Sequence, residues 1–252
     1  MKGALPDVVA RRTDPDARYG LRVTLLVVAF VLVTVPFATL LLDVLGKGPL
    51  TRVDESVANW MNGWVHGLPW LVRTLEIVSW FGKPPWLAAM VTVGALYVFW
   101  RGRRRLAVYL VVTVVGGGLV DTAVKLAVDR PRPHVDHPID TAFGTSFPSG
   151  HAMSATITYG ALVLVFLPVL GPRARRVALG AAALLVLAIG SSRLLLGLHF
   201  LTDVVGGYVL GLAWLLASTA VFGIWRKEEG KPPPDLTKGL EPDAGADLKI
   251  SV

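Results

Sequence analysis

The sequence predicts an all-α membrane protein: a six-transmembrane-helix bundle with a short extracytoplasmic amphipathic helical segment. Three observations lead there. Hydrophobic residues make up 53% of the 252-residue chain and charged residues only 17%, against about a quarter charged in ordinary soluble domains. The apolar residues are bunched into uninterrupted runs, which a soluble core does not require but a bilayer does. The arginines sit in short clusters between those runs, the placement the positive-inside rule gives to cytoplasmic loops.

Taken in order, residues 1–20 are polar, contain Arg11, Arg12 and Arg18, and read as a cytoplasmic N-terminal segment. The apolar run 21–42 is too long for a signal-peptide core and lacks a small-x-small cleavage site, so it reads as a retained span. Further spans are predicted at 84–100, 106–127, 152–169, 177–195 and 204–225, making 21–225 one six-span domain. The clusters Arg101, Arg103, Arg104, Arg105 and Arg173, Arg175, Arg176 then fall on the same side as the N-terminus, Arg226 and Lys227. That side is cytoplasmic under the same rule, so both termini face the cytoplasm of a multi-pass protein of the plasma membrane. Trp100 and Trp225 end two spans at this interface, while Trp80 and Trp86 lie near the outer one. Gly116, Gly117 and Gly118, inside the third span, permit close helix approach.

Residues 44–83 fall outside in this topology. Val53, Val57, Trp60, Met61 and Trp64 recur at helical spacing among Asp54, Glu55 and Asn59. Such a helix either lies in the membrane interface or packs on the bundle. The segment 226–252 is rich in Pro, Gly, Asp, Glu and Lys without apolar periodicity, and reads as a disordered cytoplasmic tail.

Composition also excludes. With no cysteine, disulfides, thiolate chemistry and zinc–thiolate sites are ruled out. The net charge of +7 does not imply nucleic-acid binding, because no polar basic domain remains to track a groove. Oligomeric state is not encoded in these patterns.

Ionisable residues near membrane depth are costly and default to functional hypotheses. Three groups stand out: Lys125 to Pro133 with Arg132 near its end, Pro148-Ser149-Gly150-His151, and Ser192-Arg193 followed by His199 and Asp203. All three reach the outer face in a topology derived from charge and hydropathy alone. Lys125, Arg132 and Arg193 bring three fixed positive charges into a poorly hydrated region. Asp121 pairs with Lys125 at i,i+4 spacing and Asp129 offers a partner to one arginine, but phosphate matches the set better, since guanidinium forks bind its oxygens in pairs. Ser149 precedes a long apolar helix and so reads as its N-cap. Gly150 lets an anion approach the exposed N–H groups of that helix start. His199 and Asp203 share one helix face, where the carboxylate fixes the tautomer and leaves the other ring nitrogen as nucleophile. Gly197 ends the preceding helix and permits the turn. His151 supplies a second imidazole to protonate a departing oxygen.

An anion pocket, an oriented nucleophile and a proton donor imply phosphoryl transfer, with positioning and charge stabilisation carrying most of the catalysis. The three cations take the part magnesium plays elsewhere, so no metal and no other cofactor is expected. A competing metal site, His134, Asp136, His137 and Asp140, lies in a Pro-containing loop with poor ligand spacing.

Lys-x6-Arg-Pro, Pro-Ser-Gly-His and Ser-Arg-x5-His-x3-Asp, in this order over 125–133, 148–151 and 192–203, resemble the three signature motifs of the type 2 phosphatidic acid phosphatase superfamily. No signature position departs from the pattern. The resemblance implies that His199 is transiently phosphorylated and then hydrolysed by water, that Asp203 orients it, and that His151 is the general acid. It implies that Lys125, Arg132, Ser149, Gly150 and Arg193 hold the phosphate. The implied partner is a lipid phosphate at the membrane: phosphatidic acid, phosphatidylglycerol phosphate, diacylglycerol pyrophosphate or polyprenyl pyrophosphate. An outward-facing site favours the last, as a carrier recycled during envelope synthesis. Vanadium haloperoxidases resemble the same site, but as soluble proteins with longer additions. The rival readings are a non-catalytic lipid-phosphate binder or transporter, and a lipid phosphotransferase that uses the same phosphohistidine.

Overall fold

Proline marks where the helices begin. Its fixed φ suits a first helical turn, and its missing N–H is lost where no intrahelical partner exists. It occupies that turn in Pro49–His66 (α2), Pro69–Trp80 (α3), Pro84–Trp100 (α4) and Pro172–Leu195 (α7). The computed structural model describes Val31, residues 35–135, Ile139, residues 144–228, and residues 230–248 apart from 232, 233 and 236. The remaining helices are Val35–Leu45 (α1), Arg104–Val128 (α5), Gly150–Phe166 (α6) and Leu201–Glu228 (α8). Among the described residues there is no strand.

Among the described residues, four helices are able by length and apolar composition to cross a membrane: Arg104–Val128, Gly150–Val169, Pro172–Leu195 and Leu201–Arg226. The helix α4 is apolar but only 17 residues long. The expected first span coincides with the described residues only at Val31 and from residue 35, where α1 begins; the expected N-terminal segment lies outside them. Val112, Leu119, Leu126, Leu184 and Val221 point outward from α5, α7 and α8 and are exposed. Lipid, rather than water, is the solvent such surfaces fit.

The centre of the bundle is α6, with 61% of its apolar window buried against 28% for α5 and α7. Two glycines let α8 cross it closely. A Cβ on Gly207 would lie 2.7 Å from the Ser149 carbonyl oxygen, and one on Gly211 2.9 Å from that of Met153. This is small-x3-small packing, and it brings the start of α8 against the start of α6. Gly116 and Gly117 do the same for α5, receiving Trp214 of α8, whose Nε1 donates to the Thr113 carbonyl.

The 44–83 segment forms α2 and α3, and α2 docks by the face opposite to its apolar stripe. Asp54, Ala58, Asn62 and Val65 are buried, while Val53, Trp60 and Trp64 are exposed, the two tryptophans to 68% and 70%. Of the two expected readings, packing on the bundle is the one observed, through the face that carries Asp54 and Asn62.

The expectation of a disordered tail needs correction for its described part. Leu240, Ala244 and Leu248, spaced by four, are buried in the cluster formed by α4, α5, α6 and α8. Leu240 N–H donates to the Leu164 carbonyl. Glu241 and Asp243 pair with Arg226, which is fully buried, and Glu241, Asp243 and Asp247 with Arg103. Composition misled because a short segment needs only three apolar anchors when a basic surface waits to receive its carboxylates.

Candidate active site

The helix α7 ends in a turn that aims the next residues inward. Gly197 takes φ +73°, a left-handed conformation natural to glycine. Gly197 N–H donates to the Leu194 carbonyl and Leu198 N–H to that of Arg193, the paired bonds of a Schellman motif. His199 follows directly, 2% exposed, and α8 starts two residues later. Asp203 sits in the first turn of α8 and accepts from Phe200 N–H at 2.8 Å. This is half of a capping box, so Asp203 secures the helix start besides facing His199.

The two sides of the imidazole are read by different groups. Nδ1 faces Asp203 Oδ2 at 3.5 Å, longer than an ordinary hydrogen bond. Nε2 lies 3.2 Å from Arg132 Nη1. A guanidinium only donates, so Nε2 is the acceptor and the ring proton belongs on Nδ1, toward the carboxylate. Burial pushes the His199 pKa down to about 4, opposed by Asp203 and assisted by Arg132 and Arg193. The ring is therefore neutral at physiological pH, with its lone pair on Nε2.

The cationic residues come from the last turn of α5, the connection that follows it, and the last turn of α7. Arg132 also donates to the Leu198 carbonyl at 2.8 Å and to that of Gly144 at 3.1 Å. Arg193, buried in the last turn of α7, donates to Ser79 Oγ of α3 at 2.8 Å. Lys125 pairs with Asp121 at 2.5 Å, as its spacing predicts, and donates to the Pro148 carbonyl at 2.8 Å. Gly150 faces this pair: a Cβ there would meet Asp121 Oδ2 at 3.2 Å and Lys125 Nζ at 3.3 Å. Lys125 thereby lies against the start of α6.

Ser149 departs from its expected role. It occupies the N-cap position, but its side chain caps nothing; its hydroxyl is fully buried and without a partner. A buried hydroxyl left unbonded is costly. His151, the second residue of α6, likewise has a buried Nε2 without a partner. Its ring lies in the field of Arg193, His199, Lys83 and Arg132. Its proximity to the other site residues is thus electrostatic as well as topological.

Sequence reasoning missed the network behind Asp203. Arg130 Nη1 donates to Asp203 Oδ1 at 2.7 Å, and its Nη2 to Asp54 Oδ2 of α2 at 2.8 Å. The guanidinium stacks 4.1 Å from the Phe200 ring centroid. Thr202 N–H and hydroxyl both donate to Asp54, and Ser146 hydroxyl donates to Asp203 Oδ2. Asp129, the partner expected for an arginine, instead ends α5 at φ 44° and is exposed. The signal for Arg130 was its place inside the Lys-x6-Arg stretch; Asp54 gave none beyond a lone acid on an amphipathic helix. Of the competing metal site, Asp136, His137 and Asp140 lie outside the described residues.

Residues 106–227 match the family model described as the PAP2 superfamily. The chain is 29% identical over 147 residues to phosphatidylglycerophosphatase B of Bacillus subtilis (strain 168), covering 57% of this chain and 71% of that one. It is 33% identical over 165 residues to lipid A 1-phosphatase of Rhizobium johnstonii, covering 60% of this chain and 61% of that one. The chain thus spans less than two thirds of the second relative. The crystal structure of a transmembrane PAP2-type phosphatidylglycerolphosphate phosphatase from Bacillus subtilis superposes with TM-score 0.69 at 24% identity. The match covers 76% of this chain and 94% of that one, and establishes the likeness of fold.

Proposed function

Because this chain belongs to the PAP2 superfamily over residues 106–227, we propose that it is an integral membrane phosphatase that hydrolyses a lipid phosphate or pyrophosphate through a phosphohistidine at His199, without metal. The observation that carries this reading is the pair of contacts on His199, Asp203 at Nδ1 and Arg132 at Nε2. They leave a neutral ring whose lone pair points at a cation that phosphate would claim.

In the proposed reaction the phosphate binds Arg132, Arg193, Lys125, Ser149 hydroxyl and the N–H groups at Gly150. Arg132 then turns its donors from Nε2 to the phosphate oxygens. Nε2 attacks phosphorus, and the bond from phosphorus to the lipid oxygen breaks. That oxygen takes a proton from His151 and leaves as the lipid alcohol, or as the lipid monophosphate if the substrate is a pyrophosphate. Asp203 balances the positive charge that develops on the ring. Neutral His151 next takes a proton from water, whose oxygen attacks phosphorus, releasing inorganic phosphate and restoring both imidazoles.

The proposed topology has six spans within 21–225, formed by the four long apolar helices, α4 and the segment leading into α1. The basic clusters and the docked tail then face the cytoplasm with both termini, and the site opens on the extracytoplasmic side of the plasma membrane. The names of the relatives put phosphatidylglycerol phosphate and lipid A 1-phosphate beside polyprenyl pyrophosphate as candidate substrates.

The test is phosphate release by the purified protein in detergent with EDTA, across those three lipids and phosphatidic acid. The expected result is metal-independent release that His199→Ala abolishes. Lipid binding without release would favour the binder or transporter instead. Release only when a second lipid acceptor is supplied would favour the phosphotransferase.

A further inference from the structure

The His199–Asp203 pair has a charge problem that Asp54 solves. Asp203 is fully buried and its Oδ1 is held by a guanidinium at 2.7 Å. An arginine bound to Asp203 alone would cancel the carboxylate that an imidazolium needs. Arg130 is not bound to Asp203 alone, because its second nitrogen meets Asp54 at 2.8 Å, in a setting where Asp54 is 2% exposed and Arg130 7%. Counting Asp54, Arg130 and Asp203 together leaves one net negative charge to face His199. Without Asp54 the count is zero, and a positive ring would stand uncompensated in a poorly solvated interior.

We propose, resting on the phosphohistidine reading above, that Asp54 and Arg130 are positioning residues that act through Asp203, Asp54 offsetting Arg130 so that the Asp203 charge stays available to His199. Asp54 belongs to α2, outside the segment that carries the three motifs, and it also receives both donors of Thr202, next to Asp203 in the first turn of α8. The docking of α2 is in this way part of the catalytic arrangement rather than only a wall of the substrate entry. Neither residue touches the reacting atoms.

The two signs of charge make the proposal testable by rescue. Asp54→Asn should lower kcat by about 30-fold or more while KM and inhibition by inorganic phosphate stay within about 3-fold, since the anion pocket is built from other residues. The double variant Asp54→Asn/Arg130→Gln restores the net negative charge and should recover a large part of the lost kcat. A purely structural role would make the double variant as poor as the single one or worse, and that outcome overturns the proposal. A readout without turnover separates this from failure of the phosphatase reading: ¹⁵N chemical shifts of the His199 ring in detergent. The ring also faces Asp203 from α8, Arg132, Arg193 and His151, none of them altered. Its protonation midpoint should fall in Asp54→Asn and return in the double variant, whether or not any lipid is hydrolysed. An unmoved midpoint in Asp54→Asn would refute the charge argument.

Discussion

Arg132 Nη1 donates to His199 Nε2 at 3.2 Å, so the cation expected to hold phosphate occupies the lone pair of the proposed nucleophile. The contact fixes the ring tautomer, and it has to be exchanged for phosphate contacts before attack. Replacing Arg132 with Ala removes a charge-assisted donor to the transferring group, an effect of about 10²–10³-fold on kcat/KM. Lys in its place should recover little, because one ammonium cannot reproduce both the Nε donation to the Gly144 carbonyl and the Nη1 contacts with the Leu198 carbonyl and His199 Nε2. Steady-state phosphate release by the two variants decides this; near-wild-type activity of Arg132→Lys would show that charge alone suffices.

Burial holds the His199 pKa near 4, below the ordinary histidine value of 6.5. The attacking form is therefore retained as pH falls until the ring protonates, which places the acid limb of kcat/KM near pH 4. The alkaline limb belongs to kcat: His151 holds the proton it donates only where bound phosphate offsets the field of Arg193 and Arg132 on its ring, so its loss shows in the complex. The same shift has a stability sign. Between about pH 6.5 and 4 the unfolded chain binds a proton that the native ring does not, so this residue's contribution to stability falls as pH falls through that window. A rate flat from acid to alkaline pH would contradict the roles given to both histidines.

Much of the fold was legible in the sequence, since span lengths follow from bilayer thickness and five apolar runs reappear as α4 to α8. The motif residues were legible too, because the chemistry demands their types: cations, an imidazole and its carboxylate. What was not legible depends on partners distant in sequence. Asp54 looked like the polar side of a surface helix, yet that side is buried against Thr202 and Arg130. The tail looked solvated, yet Glu241 meets Arg226 and Arg103 from far along the chain. Ser149 looked like a cap, and only the geometry shows its hydroxyl unbonded.

Trp60 and Trp64 point away from the bundle on α2 while Asp54 points into it. If the exposed stripe seats in the membrane interface beside the substrate's entry, Trp60→Ser/Trp64→Ser should impair lipid substrates by about 10-fold or more. A soluble phosphate ester should be hydrolysed nearly as before. Comparing kcat/KM for the two substrate types in mixed micelles decides it, and an equal loss on both would remove the stripe from substrate delivery.

The docked tail predicts a stability effect without a catalytic one. Glu241→Ala removes one carboxylate from fully buried Arg226, which keeps Asp243, and one from Arg103. Breaking a buried pair costs about 3–5 kcal/mol when no partner remains; with Asp243 still bound, about 1–3 kcal/mol is expected. The melting temperature in detergent should drop by several degrees, with kcat per folded molecule unchanged. No change in melting would mean that the segment is not docked in solution.

Ser149→Ala should separate stability from activity in the opposite direction. The serine hydroxyl is fully buried and unbonded, a state that costs about 1–3 kcal/mol relative to a satisfied one. Removing it relieves that cost and leaves only a small void, so the melting temperature should hold or rise. Activity should still fall by about 10–100-fold in kcat/KM, because a donor to the phosphate is lost. Thermal unfolding and phosphate release on the same preparation give both readouts. A variant that melts earlier and turns over normally would assign the hydroxyl to the fold and remove it from the phosphate site.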